Sequence, residues 1–474
     1  MSKKNTVGLI GLIAIVFSSM IGSGIFSIPQ NMAEQASIGA VGLAWLITGI
    51  GMLLLVQTFK ILAQHKPHLN SGIFSYAKAG FGEYIGFHSA WGYWLMTCMG
   101  NVALAVMLND SLGLFFPILL NHGIETVILC SVLLWGMNTL ALRGTNSSSF
   151  VNIISTVVKL IGLLVIIGIV LYSYDSSMLS VDVWGNENQL GSVFGQIQST
   201  MMVTLWCFVG IEGAVVLSGR ARNKSDVGKA TLIGFLVAIT MYSLISILSF
   251  GILPQAELAQ LPNPSAASLL EAAIGSNGRL LVNLCVLVSV FGALVAWTIL
   301  VAEVPYEAGK TGEFPKVFAR TNKNDAPIIA LNVSTAFMQL CVLMVVMFEN
   351  VYLAAINIAS VIVLPCYLLS CLYLLKLSIN YKELGLSKRN YGYVALSATT
   401  ALFCLWLITA AGLNYQLLAT ILYAIGIPFF RFTHRARMKA GEKVYSNLDK
   451  CIEAALLILA VVSIYLLITG QMQA

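Results

Sequence analysis

Hydrophobic residues along this chain fall in long unbroken runs separated by short polar stretches. Thirteen runs can be delimited, at about 7–33, 40–62, 85–117, 124–142, 151–173, 194–217, 229–252, 280–308, 329–348, 352–376, 391–411, 415–431 and 452–469. About 20 apolar residues carry an α-helix across the hydrocarbon core of a bilayer. A membrane β-barrel would instead show alternating segments of roughly ten residues. The pattern therefore predicts an all-α integral membrane protein. The first run is too long and too glycine-rich for a cleaved signal peptide. The longest polar stretches, 174–193, 253–279 and 309–328, are too short for a soluble domain. Within the middle one, an Ala/Leu run after Pro254, Pro262 and Pro264 predicts a short surface helix.

Composition agrees with the pattern. Of 474 residues, 58% are hydrophobic and 10% charged. Soluble proteins carry about a quarter charged residues, enough to cover a surface that faces water. Charge placement then sets an expected topology. With the N-terminus cytoplasmic, every Lys and Arg except Lys159 and Arg279 falls inside, from Lys3 and Lys4 to the cluster Arg431, Arg435, Arg437, Lys439, Lys443 and Lys450. Such segregation is the positive-inside rule. The +6 net charge is thus a topology signal, and no nucleic-acid partner is expected. The nine cysteines lie in or beside the runs without a C-x-x-C pair and are expected to be apolar fillers. No metal site and no cofactor are expected.

Two runs are interrupted in corresponding ways. The first holds Ile21-Gly22-Ser23-Gly24-Ile25-Phe26, with Pro29 after it; the sixth holds Trp206-Cys207-Phe208-Val209-Gly210-Ile211-Glu212-Gly213. Broken helices at matching places in two halves point to a transporter's midplane binding site. Freed backbone groups there must face protein, water or substrate, never lipid. The competing reading is close helix packing through small residues. On the first reading, residues 1–175 and 190–376 form two five-span repeats of opposite orientation, a transporter core over 1–376, and 377–474 holds accessory helices.

Few charges lie within the runs. Lys159, in the middle of the fifth, must face a bundle interior or cavity, given roughly 2.5–3.5 kcal/mol for a charge at that depth. It is either a fixed cation that organises the first break, or stands in for a coupling ion, or a lysine that snorkels to the interface. Glu212 adjoins the second break and could attract a cation, gate the path, carry a proton, or pair structurally. Glu303 and Glu307 lie near the cytoplasmic end of the eighth run, where a solvated helix end is equally expected, and Asp110 is similarly open. Trp206 and Phe208 flank a break, and aromatic faces attract ammonium and guanidinium groups; Trp297, Tyr93 and Tyr367 are further aromatics inside the runs. No phosphate-binding loop, dinucleotide fingerprint or nucleophile elbow is present. An enzyme or ATP-driven pump is not expected.

Several of these stretches resemble one family. Gly22-Ser23-Gly24-Ile25-Phe26 with Pro29-Gln30-Asn31-Met32-Ala33 is similar to the opening signature of the amino acid–polyamine–organocation superfamily, and specifically of the bacterial basic amino acid/polyamine antiporters. Trp94 to Asn101, Trp206 to Glu212, and Trp297-Thr298 followed by Gly312-Glu313-Phe314-Pro315 agree, so that the resemblance covers about residues 7–376. It implies a LeuT-like five-plus-five inverted-repeat fold with broken first and sixth transmembrane helices. It also implies residue roles. Ser23 and Gly24 would bind a substrate carboxylate through backbone N–H groups. Carbonyls near Met20, Trp206 and Val209 would receive the α-amine. Trp297, Met96, Thr97 and Asn101 would line the side-chain pocket, and Phe208, which flanks the second break, is a further substrate-binding candidate. Tyr93, Glu212 and Tyr367 would form an outer gate, and Lys159 matches a fifth-helix lysine beside the unwound first helix. Twelve spans are usual in the family; thirteen runs are present here.

The resemblance is nearest to arginine/ornithine exchangers, with histidine/histamine and lysine/cadaverine exchange close beside it. The expected function is thus secondary-active exchange of a cationic amino acid or precursor for its metabolic product. A sodium- or proton-coupled symporter on the same fold is the rival. Expected partners are small amino acids or amines and the lipid bilayer of the cell membrane, with homo-oligomerisation left open.

Overall fold

The computed structural model describes residues 6–69, 72–180, 182–344, 351–442 and 444–472. Lys3, Lys4 and Lys443 of the expected inner charge set lie outside these. The described chain is helical, and its single β feature is an isolated parallel bridge between Val7 and Ala221. In order the helices are α1 (Leu9–Met20), α2 (Gly24–Ala33), α3 (Ile38–His65), α4 (Ile73–Phe81), α5 (Glu83–Gly113), α6 (Ile124–Leu142), α7 (Thr145–Tyr172), α8 (Val193–Phe208), α9 (Gly213–Val216), α10 (Ser225–Ser249), α11 (Gln255–Leu258), α12 (Ser265–Ile274), α13 (Ser276–Thr311), α14 (Ile328–Met344), α15 (Val351–Ile379), α16 (Tyr391–Ala410), α17 (Leu413–Lys439) and α18 (Asn447–Ile468).

Among the described residues, 11 helical stretches are long and apolar enough to cross a bilayer, and 12 if the bent pair Val193–Phe208 and Gly213–Arg220 counts as one span. This is a multi-pass membrane protein. The ninth expected run, 329–348, is the shorter apolar helix α14, and residues 345–350 lie outside the described ones. Faces that would be untenable in water agree with this placement. Ile128 and Val132 on α6, Ile161 and Leu164 on α7, and Ile458, Val461 and Tyr465 on α18 are all exposed. Hydrocarbon solvates such faces without cost, whereas a soluble protein rarely exposes them contiguously.

Packing is organised around α1, α5, α13 and α15. Helix α5 lies against both α13 and α15, α1 against α7, α10 and α13, and α3 against α8 and α10. Helices α16 and α17 cover α15, and α18 packs on α17. The start of α18 follows from its sequence: the Ser446 hydroxyl accepts from the Asp449 N–H at 3.1 Å, and the Asp449 carboxylate accepts from the Ser446 N–H at 2.8 Å. That reciprocal box satisfies two orphan donors of the first turn. Just before it, burial pushes the Tyr445 phenol up to about 12. Tyr445 thus stays a donor, to Glu453 at 2.7 Å. The surface helix expected in 253–279 is α12, but it is not peripheral. It packs against α2 and α13, and Ser265 Oγ accepts the Gln30 N–H at 3.1 Å. Helix α4 sits in a stretch that reads as a loop in the sequence; it buries Ile73, Phe74, Tyr76 and Ala77.

Candidate functional site

The helical backbone is interrupted where the glycines stand. Helix α1 ends at Met20 and α2 starts at Gly24, and Ile21 between them has left the helical range, with ψ at 86°. Helix α8 ends at Phe208 and α9 starts at Gly213, with Gly210 at φ +107°. Only glycine tolerates that φ readily. A second constraint acts at Gly210: an added Cβ would stand 2.8 Å from Ser19 Oγ and 2.9 Å from the Ser19 carbonyl carbon. The two interruptions therefore touch, and they are bonded. Ser19 Oγ donates to the Gly210 carbonyl at 2.9 Å.

Each interruption frees carbonyls, and named side chains collect them. Lys159, 1% exposed, reaches from α7 to donate to Ser18 Oγ at 2.9 Å and to the Ile21 carbonyl at 2.5 Å. Tyr242 of α10 donates to the Met20 carbonyl at 2.7 Å. Trp297 Nε1 donates to the Ser19 carbonyl at 2.9 Å. Ser289 of α13 donates to the Gly22 carbonyl at 3.1 Å. In a low-dielectric interior an unpaired carbonyl would be costly, so these partners hold the break in one shape. Ser18, Ser19, Tyr242 and Ser289 escape a sequence reading. A hydroxyl pair in an otherwise apolar run was the available signal for the first two.

Between the interruptions lies a small void of about 10 Å³, lined by Ser19, Met20, Gly22, Ser23, Gly24, Gly100, Leu104, Trp206, Val209 and Trp297. Of the expected substrate residues it gathers Met20, Ser23, Gly24, Trp206, Val209 and Trp297. Trp206 is shared with a second cavity of about 420 Å³, bounded also by Gly24, Asn31, Glu34, Gln35, Ser199 and Asn357. The indole stands between the two, close enough that a Cβ on Gly24 would come within 3.2 Å of it.

Four expected substrate-binding residues lie outside this void. Phe208 is fully buried against Trp45, Phe235 and Tyr242. Two residues after Trp206 on the same helix, it points about 200° away, so flanking a break in sequence did not bring it to the void. From α5 the void takes Gly100 and Leu104 rather than Met96, Thr97 and Asn101. Thr97 and Asn101 bond along their own helix, Thr97 Oγ1 to the Trp94 carbonyl at 2.7 Å and Asn101 Nδ2 to the Thr97 carbonyl at 2.8 Å. Asn101 Oδ1 is buried without a hydrogen-bond partner among the described residues.

Glu212 is fully buried and accepts from Tyr93 at 2.8 Å, Tyr367 at 2.5 Å and the Gly210 N–H at 3.2 Å. The three expected gate residues are thus one cluster. It follows Trp206 along α8 and α9, on the side of the void away from the cavity at Ser199 and Asn31. Further along that side, the Val7 N–H donates to the Arg220 carbonyl and the Arg222 N–H to the Val7 carbonyl, both at 2.9 Å. Arg220 Nε meets Glu303 at 2.7 Å with both side chains 2% exposed, and Arg220 lies over the Tyr306 ring at 5.2 Å. Glu303 and Glu307 are therefore buried and paired, not a solvated helix end. Asp110 receives a bond from Asn109 at 3.1 Å and has His122 at 3.8 Å.

Comparison with known proteins follows the same outline. The profile of a family described as amino acid permease matches residues 7–438. The chain is 44% identical over 486 residues to an arginine/agmatine antiporter of Chlamydia caviae, covering 100% of this chain and 98% of that one. It is 43% identical over 465 residues to an arginine/agmatine antiporter of Chlamydia trachomatis, covering 97% and 96%. It is 39% identical over 476 residues to a putative amino-acid transporter of Clostridium perfringens, covering 98% of each.

Proposed function

This chain belongs to the amino acid permease family, within the amino acid–polyamine–organocation superfamily, and from that membership we propose that it exchanges a cationic amino acid for its metabolic product. It is a transporter and not an enzyme. The observation that carries the proposal is full-length similarity at 44% identity to an antiporter named for arginine and agmatine. Arginine against agmatine is accordingly the preferred pair. Arginine/ornithine, histidine/histamine and lysine/cadaverine are the pairs to be tested beside it.

The proposed fold is the LeuT-like five-plus-five inverted repeat. Residues 1–175 and 190–376 are the two repeats, 377–474 are accessory, and the N-terminus faces the cytoplasm of a bacterial cell. In this reading the substrate sits where the two interruptions meet. Its carboxylate faces the start of α2, where the first N–H groups of the helix have no intrahelical partner and carry partial positive charge. Its ammonium faces carbonyls around Met20, Trp206 and Val209. The void of about 10 Å³ is far too small for arginine, so Trp206 must swing away and admit the solute from the 420 Å³ cavity. The cluster Tyr93–Glu212–Tyr367, the Arg220–Glu303 pair and the Val7 bridge meanwhile close the opposite side. In this reading the carrier is shut inward and approachable outward. Lys159 takes the role of a fixed cation that fastens the end of α1.

Exchange also has a direction. Arginine carries one positive charge and agmatine two, so each turnover exports one net charge, against about 2.3 kcal/mol per 100 mV. Counterflow in proteoliposomes loaded with arginine, ornithine, agmatine, histidine, histamine, lysine or cadaverine tests the proposal. Arginine uptake that requires internal agmatine supports it. Uptake into unloaded vesicles driven by a proton gradient would overturn exchange in favour of symport.

A further inference from the structure

Beyond the central site, the inward side holds a second charged cavity, of about 570 Å³, lined by His68, Leu69, Ser75, Lys78, Ala79, Glu307, Lys310, Thr311 and Glu313. It lies between α4 and the end of α13. Measured along α13 at 1.5 Å per residue, Glu303 lies about 9 Å and Glu307 about 15 Å beyond Trp297, which lines the central void. Glu313, Glu307 and Glu303 thus follow one another from this cavity along α13 toward the central void.

Two of them line the cavity, and each is matched by a lysine. Glu307 pairs with Lys310 at 2.7 Å, with side chains 3% and 34% exposed. Glu313 pairs with Lys78 at 2.5 Å, with side chains 0% and 29% exposed. The asymmetry of burial decides which partner is exchangeable. A buried carboxylate stripped of its cation costs several kcal/mol. A lysine that is one-third exposed can turn its ammonium to water at little cost, on a stem of four methylenes. Lys78 would keep partners without Glu313, because Glu83 lies 3.4 Å from its Nζ and the Thr311 carbonyl accepts from it at 3.1 Å. Lys310 already rests over the Tyr306 ring at 5.0 Å. At Glu313, Oε1 faces the Lys78 ammonium, while Oε2 is taken by Thr311.

We propose that this cavity is an inner docking subsite for a solute bearing a terminal ammonium or guanidinium group, which displaces Lys310 from Glu307 or Lys78 from Glu313 before passing to the central site. The proposal rests on the cationic-antiport reading and adds to it a binding step on the inward side alone. The buried members of the cavity are anionic and the mobile members cationic, so the ligand that can enter is a cation. An anion would have to displace carboxylates that cannot leave.

The test is exchange in proteoliposomes of uniform orientation, with the half-saturation for agmatine measured separately on each side. Glu313→Gln and Glu307→Gln should each raise the inner half-saturation several-fold and leave the outer value within twofold. Lys310→Gln should do the reverse, lowering the inner value by removing the competing ammonium. Equal changes on both sides, or no change with any variant, would overturn the subsite, as would competition at the inner face by inorganic phosphate but not by diamines. If the glutamate variants fail to fold, Lys310→Gln decides alone through the sign of its effect. Should the wild type exchange no cationic solute at all, the antiport reading fails instead. Agmatine titration of the detergent-purified protein then decides the subsite, which requires tighter binding by Lys310→Gln than by wild type.

Discussion

Replacing Lys159 by methionine separates the stability of the fold from the shape of its first break. The wild-type ammonium makes two short bonds, to Ser18 Oγ at 2.9 Å and to the Ile21 carbonyl at 2.5 Å. Hydrogen bonds from a charged group contribute about 1.5–3 kcal/mol each, so roughly 3–6 kcal/mol is lost. Methionine has a similar length and no longer requires a charge in midmembrane, which returns about 2.5–3.5 kcal/mol. The net effect on folding is thus on the order of 2 kcal/mol, and the variant should reach the membrane and purify. The local effect is larger, because the Ile21 carbonyl keeps only a long contact, from Ser289 at 3.4 Å. Losing about 1.5–3 kcal/mol of orientation at that carbonyl lowers the population of the correct break roughly 10- to 150-fold. Counterflow of arginine should fall by at least tenfold, while thermal unfolding of the purified variant shifts by only a few degrees. An exchange rate within twofold of wild type, in a protein of unchanged stability, would refute the idea that Lys159 shapes the site.

Three further outcomes are expected. Glu212→Gln keeps the volume and removes the charge that Tyr93 and Tyr367 hold at 2.8 and 2.5 Å; counterflow of cationic solutes should fall about tenfold or more, since charges interact at around 4 kcal/mol when 4 Å apart in such surroundings, and unchanged rates would make the residue merely structural. Gly210→Ala places a methyl 2.8 Å from Ser19 Oγ at φ +107°; the strained conformation alone costs about 1–2 kcal/mol, so melting temperature and transport should both drop, and wild-type values for both would show that the two interruptions are not in firm contact. A cysteine at Ala440, in the basic stretch after α17, should resist an impermeant thiol reagent added outside intact cells until the membrane is opened; rapid labelling from outside would reverse the proposed orientation.

How much of this was legible in the sequence varies with the range of the interaction. The runs at 40–62, 124–142 and 391–411 emerge as α3, α6 and α16 with ends shifted by a few residues, because a helix that spans lipid must satisfy its own backbone and needs only apolar length. Gly22, Gly24 and Gly210 marked the interruptions, and at Gly210 the local demand is a φ of +107° that glycine adopts most readily. Lys159 and Glu212 stood out because a charge in hydrocarbon needs a reason. Helix α4 was missed because nine residues carry too little pattern to distinguish a short helix from a loop.

What lay beyond the residues themselves was the exact pairing between atoms of distant segments. Chain order alone sets neither the 2.9 Å bond from Ser19 to Gly210 nor the fastening of Met20 by Tyr242, 222 residues away. The sequence placed Phe208 beside a break, but helical rotation turned it into the core while Trp206 took the void. The packing of α5, α9 and α15 likewise decided that Tyr93 and Tyr367 both bond directly to Glu212. The sequence by itself determined composition, span length, charge asymmetry and the places where a helix must yield, because each acts within a few residues or through the solvent. Tertiary structure alone decided which freed carbonyl meets which donor and which carboxylate meets which lysine, because those energies fall off within a few ångströms and depend on the packing of helices far apart in the chain.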